Sequence, residues 1–446
     1  MRESTAWVLV SLQDIAQWGS GGTPSRKNAN YYSGDIPWVK TGDLGPRVLN
    51  SSSEHITEEA ITKSSAKLFP KGSVAIAMYG ATIGKTSILG MEATTNQACA
   101  VGNPVDGVTV SEFLYYLLLN ARDTFISLGK GGAQPNISQT LIKDYEVYLP
   151  PLAEQKVITE KLDTLLAQVE TTKARLESTL ETLKQFRQSV LAVAVGGKLT
   201  EDWIGEREAW GKYALSELCR SVSDGDHQAP PRSDEGIPFL VISNVSDGVI
   251  NFNTVTRWVP LDYYESLKSI RKPEKRDILY TVTGSFGIPV IVDTSKPFCF
   301  QRHIAIIKPN HDKVNYKYLT LYLNSIEALR KAESVATGTA QKTVSLTNLR
   351  KFVIPLPSRE EQEEIVKRVE KILAGADATE QQVNQALERV NNLTQSILAK
   401  AFRGELTAQW RKDNPDLISG DNSAEALLKK IKAEREAAKP KRKSKK

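Results

Sequence analysis

Cysteine, methionine and histidine are all scarce in this chain: three, three and four among 446 residues. Cys99, Cys219 and Cys299 are far apart and odd in number. That excludes a disulfide scaffold and suits a reducing compartment, so the expected location is the cytoplasm. No metal-ligand spacing joins them to His55, His227, His303 or His311, and no metal site is expected. No apolar run approaches the ~18 residues of a membrane helix. The start of the chain does not read as a signal peptide, because the run Trp7–Val10 is short and follows Glu3.

Excess charge is also lacking where it would matter most. The formal net charge is +6, yet residues 403–446 alone hold 13 basic and 7 acidic residues. Residues 1–151 are near neutral, with 12 basic and 13 acidic residues. The basic end, 439–446, reads as a disordered tail. Bulk charge therefore does not diagnose a nucleic-acid binder.

Catalytic signatures are missing too. The stretch Gly80–Thr86 looks like a phosphate loop, but its glycines are one residue too close and Tyr79 stands where glycine is required. The related stretch Gly284–Gly287 lacks the lysine. A tight turn is the better reading of these glycines. No Asn-Pro-Pro-aromatic or Asp-Pro-Pro-aromatic tetrad of an amino-methyltransferase is found, and no nuclease carboxylate cluster follows Pro415-Asp416. The chain is not expected to be an enzyme.

What the chain does contain is one unit written twice. Glu154-Gln155 recurs as Glu361-Gln362, Gly196–Thr200 as Arg403–Thr407, and Trp203 as Trp410, each with an offset of 207. Ile36-Pro37 matches Ile237-Pro238 with an offset of 201. So long a period excludes a solenoid and indicates duplication. Each unit has a mixed front with short β-rich runs, such as 74–79 and 278–282, and a helix expected over 111–120 or 316–329. Each then has a helical back.

The backs carry a heptad. Leu162, Leu165, Val169, Thr172, Leu176, Thr179, Leu183, Phe186 and Val190 recur with steps of three and four, and every position plus 207 falls on the series Val369 to Ile397. This is the period of a coiled coil. About 40 residues of helix make a rod of roughly 60 Å. The expected fold class is α+β: two globular domains separated by two long helices that form an antiparallel coiled coil, with a pseudo-twofold internal repeat. Parallel pairing is the less economical alternative. The expected boundaries are 1–151, 152–204, 205–358, 359–402, a C-terminal segment 403–438 and the tail 439–446. A duplicated domain on a rigid spacer presents two reading heads, which suits DNA, whose major groove returns about every 34 Å.

Three stretches carry a family resemblance: Leu149–Lys156, Glu160–Gln168 and Val390–Trp410, extended by Asn414–Gly420 and Leu427–Arg435. In these the chain resembles the specificity subunit of type I restriction-modification systems, most like the enterobacterial subclass IA. The resemblance covers both helical regions and the C-terminal segment, while the fronts match only in architecture. It implies a non-catalytic subunit that reads a bipartite DNA target, one half-site per target-recognition domain. It also implies two methyltransferase subunits that use S-adenosylmethionine on adenine N6, and two motor-nuclease (restriction) subunits that use ATP and Mg. No cofactor is implied on this chain.

The resemblance does not say which residues read DNA. Arg and Lys grip guanine edges or phosphates, and Asn and Gln suit adenine. Polar loops beside the β runs are the candidates. In the first domain they are Thr23, Ser25, Arg26, Lys27, Lys40, Thr41, Tyr79, Thr82, Lys85, Lys130 and Gln134. In the second they are His227, Gln228, Ser243, Asn244, Thr283, Ser285, Arg302, His303, Gln341 and Lys342. Charges off the heptad seam are the candidates for partner docking: Glu160, Lys161, Lys173, Arg175, Glu363, Glu364, Lys367 and Arg368. For every one, an ordinary solvated residue is the competing reading. At the level of the whole chain, a coiled-coil adaptor without DNA specificity competes, and a nucleotide enzyme built on Gly80–Thr86 stands third.

Overall fold

The computed structural model describes residues 6–129, 136–204, 209–225, 230–246, 248–339 and 341–437. It divides into two units, Met1–Ala174 with Leu387–Lys446, and Arg175–Ala386.

In the first unit, strand Val8–Ser11 pairs antiparallel with Glu146–Leu149 and so ties the two ends of the globular domain together. Between them lies a five-stranded sheet whose centre is Cys99–Pro104 and Val74–Ala77, paired antiparallel. A four-stranded sheet centres on Ile36–Val39 and Ala93–Thr95, paired parallel. The central strand Val74–Ala77 is buried throughout, as a strand covered on both faces must be. Helix Ser111–Asn120 packs Phe113, Leu114, Leu117 and Leu118 into the same core as Ile158 and Leu162 of the long helix.

The second unit repeats this order. Gly211–Ala214 pairs with Val353–Leu356, a four-stranded sheet centres on Ile278–Thr281 and Ile304–Pro309, and a three-stranded sheet joins Ile237–Leu240 to Cys299–Phe300 in parallel. The helix expected over 316–329 is instead two, Tyr316–Leu323 and Ile326–Val335. The break falls at Asn324-Ser325, where the Ser325 hydroxyl accepts from Ala328 N and caps the second helix.

The long helices Leu152–Val195 and Arg359–Phe402 have 44 residues each. Proline precedes each one and none lies inside it. Each stops at a glycine in the left-handed region, Gly197 and Gly404, both at φ +78°, where a side chain would be strained. Within the first unit Ile158 and Leu162 share a core with Leu398 and Ala401. Within the second, Val190, Leu191 and Ala194 share one with Ile365, Val366 and Val369. The start of each helix thus meets the end of the other, which is antiparallel packing. Most of the heptad face is buried or half-buried, but two matched pairs stay exposed: Thr172 with Thr379, and Phe186 with Leu393 at 43% and 44%.

Two matched carboxylates seat each domain on its helices. Glu154 is fully buried and accepts from Trp7 Nε1 at 2.9 Å, from Thr407 Oγ1 at 2.6 Å and from Arg411. Glu361 accepts from Trp210 Nε1 at 2.9 Å and Thr200 Oγ1 at 2.7 Å. Two turns further on, Asp163 ion-pairs with Arg47 and accepts from the Tyr116 hydroxyl, while its counterpart Glu370 pairs with Lys317 at 2.7 Å. Beside these, Gln155 and Gln362 each accept from the backbone ahead of the domain's own helix, at Val110 N and Asn315 N.

The three cysteines are free, and burial pushes each thiol up to about 12. Among the described residues no helix is long and apolar enough to cross a membrane, and no group of residues could hold a metal ion.

Candidate nucleic-acid interface

In the first domain, three segments converge at one end of the sheets. Strand Val74–Ala77 runs into a turn in which Gly80 and Gly84 have φ of +62° and +77°. A Cβ on Gly84 would lie 2.6 Å from Arg122 Cγ, so only glycine fits there. The phosphate-loop look-alike is therefore a single turn of 3₁₀ helix, Gly80–Thr82, in which Thr82 Oγ1 donates to Tyr79 O at 2.8 Å. Tyr79 is exposed and bridges to Asn136, and Ile137 N donates to Met78 O at 2.9 Å. The turn Asn96–Cys99 lies alongside, because Met78 N donates to Ala98 O at 2.9 Å. The Thr23 hydroxyl meets the exposed Gln97 amide.

The second domain rebuilds the same junction. Val344 N donates to Val282 O at 2.8 Å, and Val282 N donates to His303 O at 3.0 Å. Gly284 N donates to Lys342 O at 3.0 Å, and Thr343 Oγ1 lies 3.3 Å from Thr283 Oγ1. Ser285, Arg302, Gln341 and Lys342 are exposed around this junction. His303 is half-buried, and desolvation, aided by the neighbouring Arg302 charge, pulls its imidazole below the ordinary value.

Tyr79, Thr82 and Lys85 are thus brought together in one domain, and Thr283, Ser285, Arg302, His303, Gln341 and Lys342 in the other. Several remaining side chains are engaged within their own domain. Arg26 and Lys40 both pair with Glu54, each at 2.6 Å, and these two cations hold the Glu54 carboxyl down at about 2. Arg26 also lies over the Tyr32 ring, 4.1 Å from its centre. Asn244 is buried; its Oδ1 accepts from Val241 N at 2.8 Å and its Nδ2 donates to Thr254 at 3.0 Å. Thr283 is 7% exposed. Ser25, Lys27 and Ser243 are exposed, and Thr41 is half-buried. Lys130, Gln134, His227 and Gln228 lie outside the described residues. Gln97 was not among the residues expected from sequence; the one available sign was a polar pair, Asn96-Gln97, at the end of a strand.

Of the helix charges, Glu160, Arg175, Glu363 and Lys367 are exposed and Lys173 is half-buried. Lys161 donates to Leu406 O at 2.8 Å. Arg368 is held by Glu364 at 2.8 Å and Asp202 at 2.6 Å. Glu160 and Lys161, with Thr164, Leu165 and Leu406, line a shallow groove of about 400 Å³ in the first unit.

The chain matches the family described as the type I restriction modification DNA specificity domain twice, over residues 5–182 and 207–389. It is 37% identical to the type I restriction enzyme EcoKI specificity subunit of Escherichia coli K12, over 99% of this chain and 98% of that one. It is 44% identical to the EcoBI specificity subunit of Escherichia coli, over 70% of this chain and 69% of that one. A solved structure of the type I restriction-modification system contains a chain that aligns with a TM-score of 0.66 at 20% identity, covering 90% of this chain and 98% of that one. The HsdS subunit from Thermoanaerobacter tengcongensis aligns with a TM-score of 0.55, also at 20% identity, covering 90% and 97%.

Proposed function

As the chain belongs to the family of type I restriction-modification DNA specificity proteins, we propose that it is the subunit that chooses the DNA target. It is a non-catalytic member of a larger complex. Each globular domain reads one half of a bipartite sequence. Two methyltransferase subunits and two motor-nuclease subunits dock on the chain and supply S-adenosylmethionine-, ATP- and Mg-dependent chemistry. The helix charges Glu160, Lys161, Lys173, Arg175, Glu363, Glu364, Lys367 and Arg368, of which Lys173, Glu364 and Arg368 are half-buried, are the proposed docking set, with the groove at Leu165 and Leu406 as its apolar part. The target adenine leaves the stack for a partner's pocket, because chemistry on a paired base is otherwise out of reach.

One observation carries this reading: a three-sheet scaffold occurs twice, with sheets of two, five and four strands in one unit and of two, four and three in the other, and with unlike side chains at the loop junction. A structural adaptor would have no use for paired scaffolds that differ at that place. The test is adenine-methylation mapping in a methylation-free host that expresses this chain with its cognate methyltransferase subunit. A new motif of two short halves around an unread spacer is expected. No new methylation, with both proteins soluble and associated, would refute the reading.

A further inference from the structure

We propose that Gln97 and Arg302, at matching positions of the two domains, are specificity-determining residues that each contact a base edge in its own half-site: Gln97 an adenine, Arg302 a guanine. The inference rests on the specificity-subunit reading above and deepens it.

The backbone hydrogen bonds around the two positions follow the same pattern. In the first domain a tight turn is closed by Cys99 N donating to Asn96 O at 3.2 Å; in the second, Ile304 N donates to Gln301 O at 3.0 Å. Each turn is held on two further sides. Asn96 N donates to Val39 O at 2.9 Å and Met78 N to Ala98 O at 2.9 Å. Gln301 N donates to Leu240 O at 3.0 Å and Val282 N to His303 O at 3.0 Å. The residues entering and leaving the turns are buried strand residues, Thr95 and Cys99 in one domain and Phe300 and Ile304 in the other. Exactly the second residue of each turn, Gln97 and Arg302, stands exposed.

A long polar side chain on a backbone fixed by two sheets is preorganised in a way that a free loop is not. The Thr23 hydroxyl further aligns the Gln97 amide. The scaffold is shared while the chemistry at its tip differs, an amide in one domain and a guanidinium in the other. The amide can pair with both N6 and N7 of adenine, and the guanidinium with both O6 and N7 of guanine. Arg26 and Lys40, which carry the right charge, are instead both paired with Glu54.

The test uses the full chain with its cognate methyltransferase subunits. Gln97→Ala is expected to relax one adenine position of one half-site and leave the other half intact. Arg302→Ala is expected to relax one guanine position of the other half. Discrimination at that position should fall on the order of ten- to a hundredfold. A variant that gives no methylation is read instead by binding of the purified complex to duplexes with single base-pair changes. Loss of discrimination at one position then supports the proposal, and uniform weakening at every position overturns it. An unchanged motif in both variants also overturns it. A wild-type complex that yields no bipartite motif counts against the specificity-subunit reading itself.

Discussion

The Thr407 hydroxyl donates to the buried Glu154 carboxylate at 2.6 Å, across 253 residues of chain. Thr200 makes the corresponding bond to Glu361 at 2.7 Å. Each carboxylate also takes an indole N–H, from Trp7 or Trp210. Removing such a group strands several buried donors at once. Glu154→Ala, which leaves Arg411 without its carboxylate, is expected to destabilise the first unit by about 3–5 kcal/mol. Glu154→Gln should cost less, since it keeps an acceptor. Denaturant titration followed by Trp fluorescence measures both, and equal stability of Glu154→Ala and wild type would show the cluster to be idle.

Glu54 behaves differently because it is partly solvated. Arg26 and Lys40 lower its folded value from 4.5 to about 2, so its stabilisation is present above about 4.5 and is lost as pH falls towards 2. Solvent screening keeps that contribution to about 1 kcal/mol or less. Its larger effect should be on DNA. Glu54→Gln releases two cations at the surface, and the slope of log affinity against log salt should steepen by about 1 to 2. A titration of binding against salt concentration gives the slope directly, and an unchanged slope would place both cations away from phosphate.

Gly80 and Gly84 both have positive φ but differ in their surroundings. Gly84→Ala adds a contact at 2.6 Å from Arg122 to the backbone strain, whereas Gly80→Ala meets nothing within 4 Å. Gly80→Ala should cost about 1–2 kcal/mol for the left-handed conformation alone, and Gly84→Ala should cost more. Thermal melting of the two variants ranks them, and the reverse order would contradict the geometry.

Lys308 and Asp277 form a buried pair at 2.7 Å, with the lysine also on Lys272 O. Lys308→Met alone leaves a buried carboxylate and should cost about 3–5 kcal/mol. Adding Asp277→Asn should recover much of the loss. Additive losses in this double-mutant cycle would show that the two groups do not interact.

The near-neutral first domain, and a second domain with only a small basic excess (20 Lys and Arg against 16 Asp and Glu over residues 205–358), gain little from counterion release. The isolated chain is therefore expected to bind its target weakly at physiological salt, and to bind tightly once the methyltransferase subunits are added. Equal affinity in the two titrations would contradict this.

The repeat, the two long helices and their antiparallel pairing were legible because a heptad is a local pattern and an offset of 207 aligns two copies of it. Glu154-Gln155 and Glu361-Gln362 stood out as repeated words, but their meaning depended on Trp7, Trp210 and Thr407, which only the fold brings near. The break at Asn324-Ser325 was missed because apolar residues continue on both sides of it, and one capping hydroxyl decides the matter. In the loops, polarity alone does not separate Asn244, whose buried amide closes its own turn, from Gln97, whose amide meets the Thr23 hydroxyl at the exposed surface. The difference lies in hydrogen-bond bookkeeping that no single stretch of sequence displays.

The two units differ in how the ribosome delivers them. Arg175–Ala386 is one continuous segment, and every residue of its core has been made by the time residue 386 emerges. The other unit is split: Ile158 and Leu162 share their core with Leu398 and Ala401, and Glu154 waits for Thr407 and Arg411. The domain that is synthesised first is therefore the one completed last. A premature stop anywhere between residues 387 and 411 would strip the seat from the N-terminal domain while sparing the segment that lies closer to the stop.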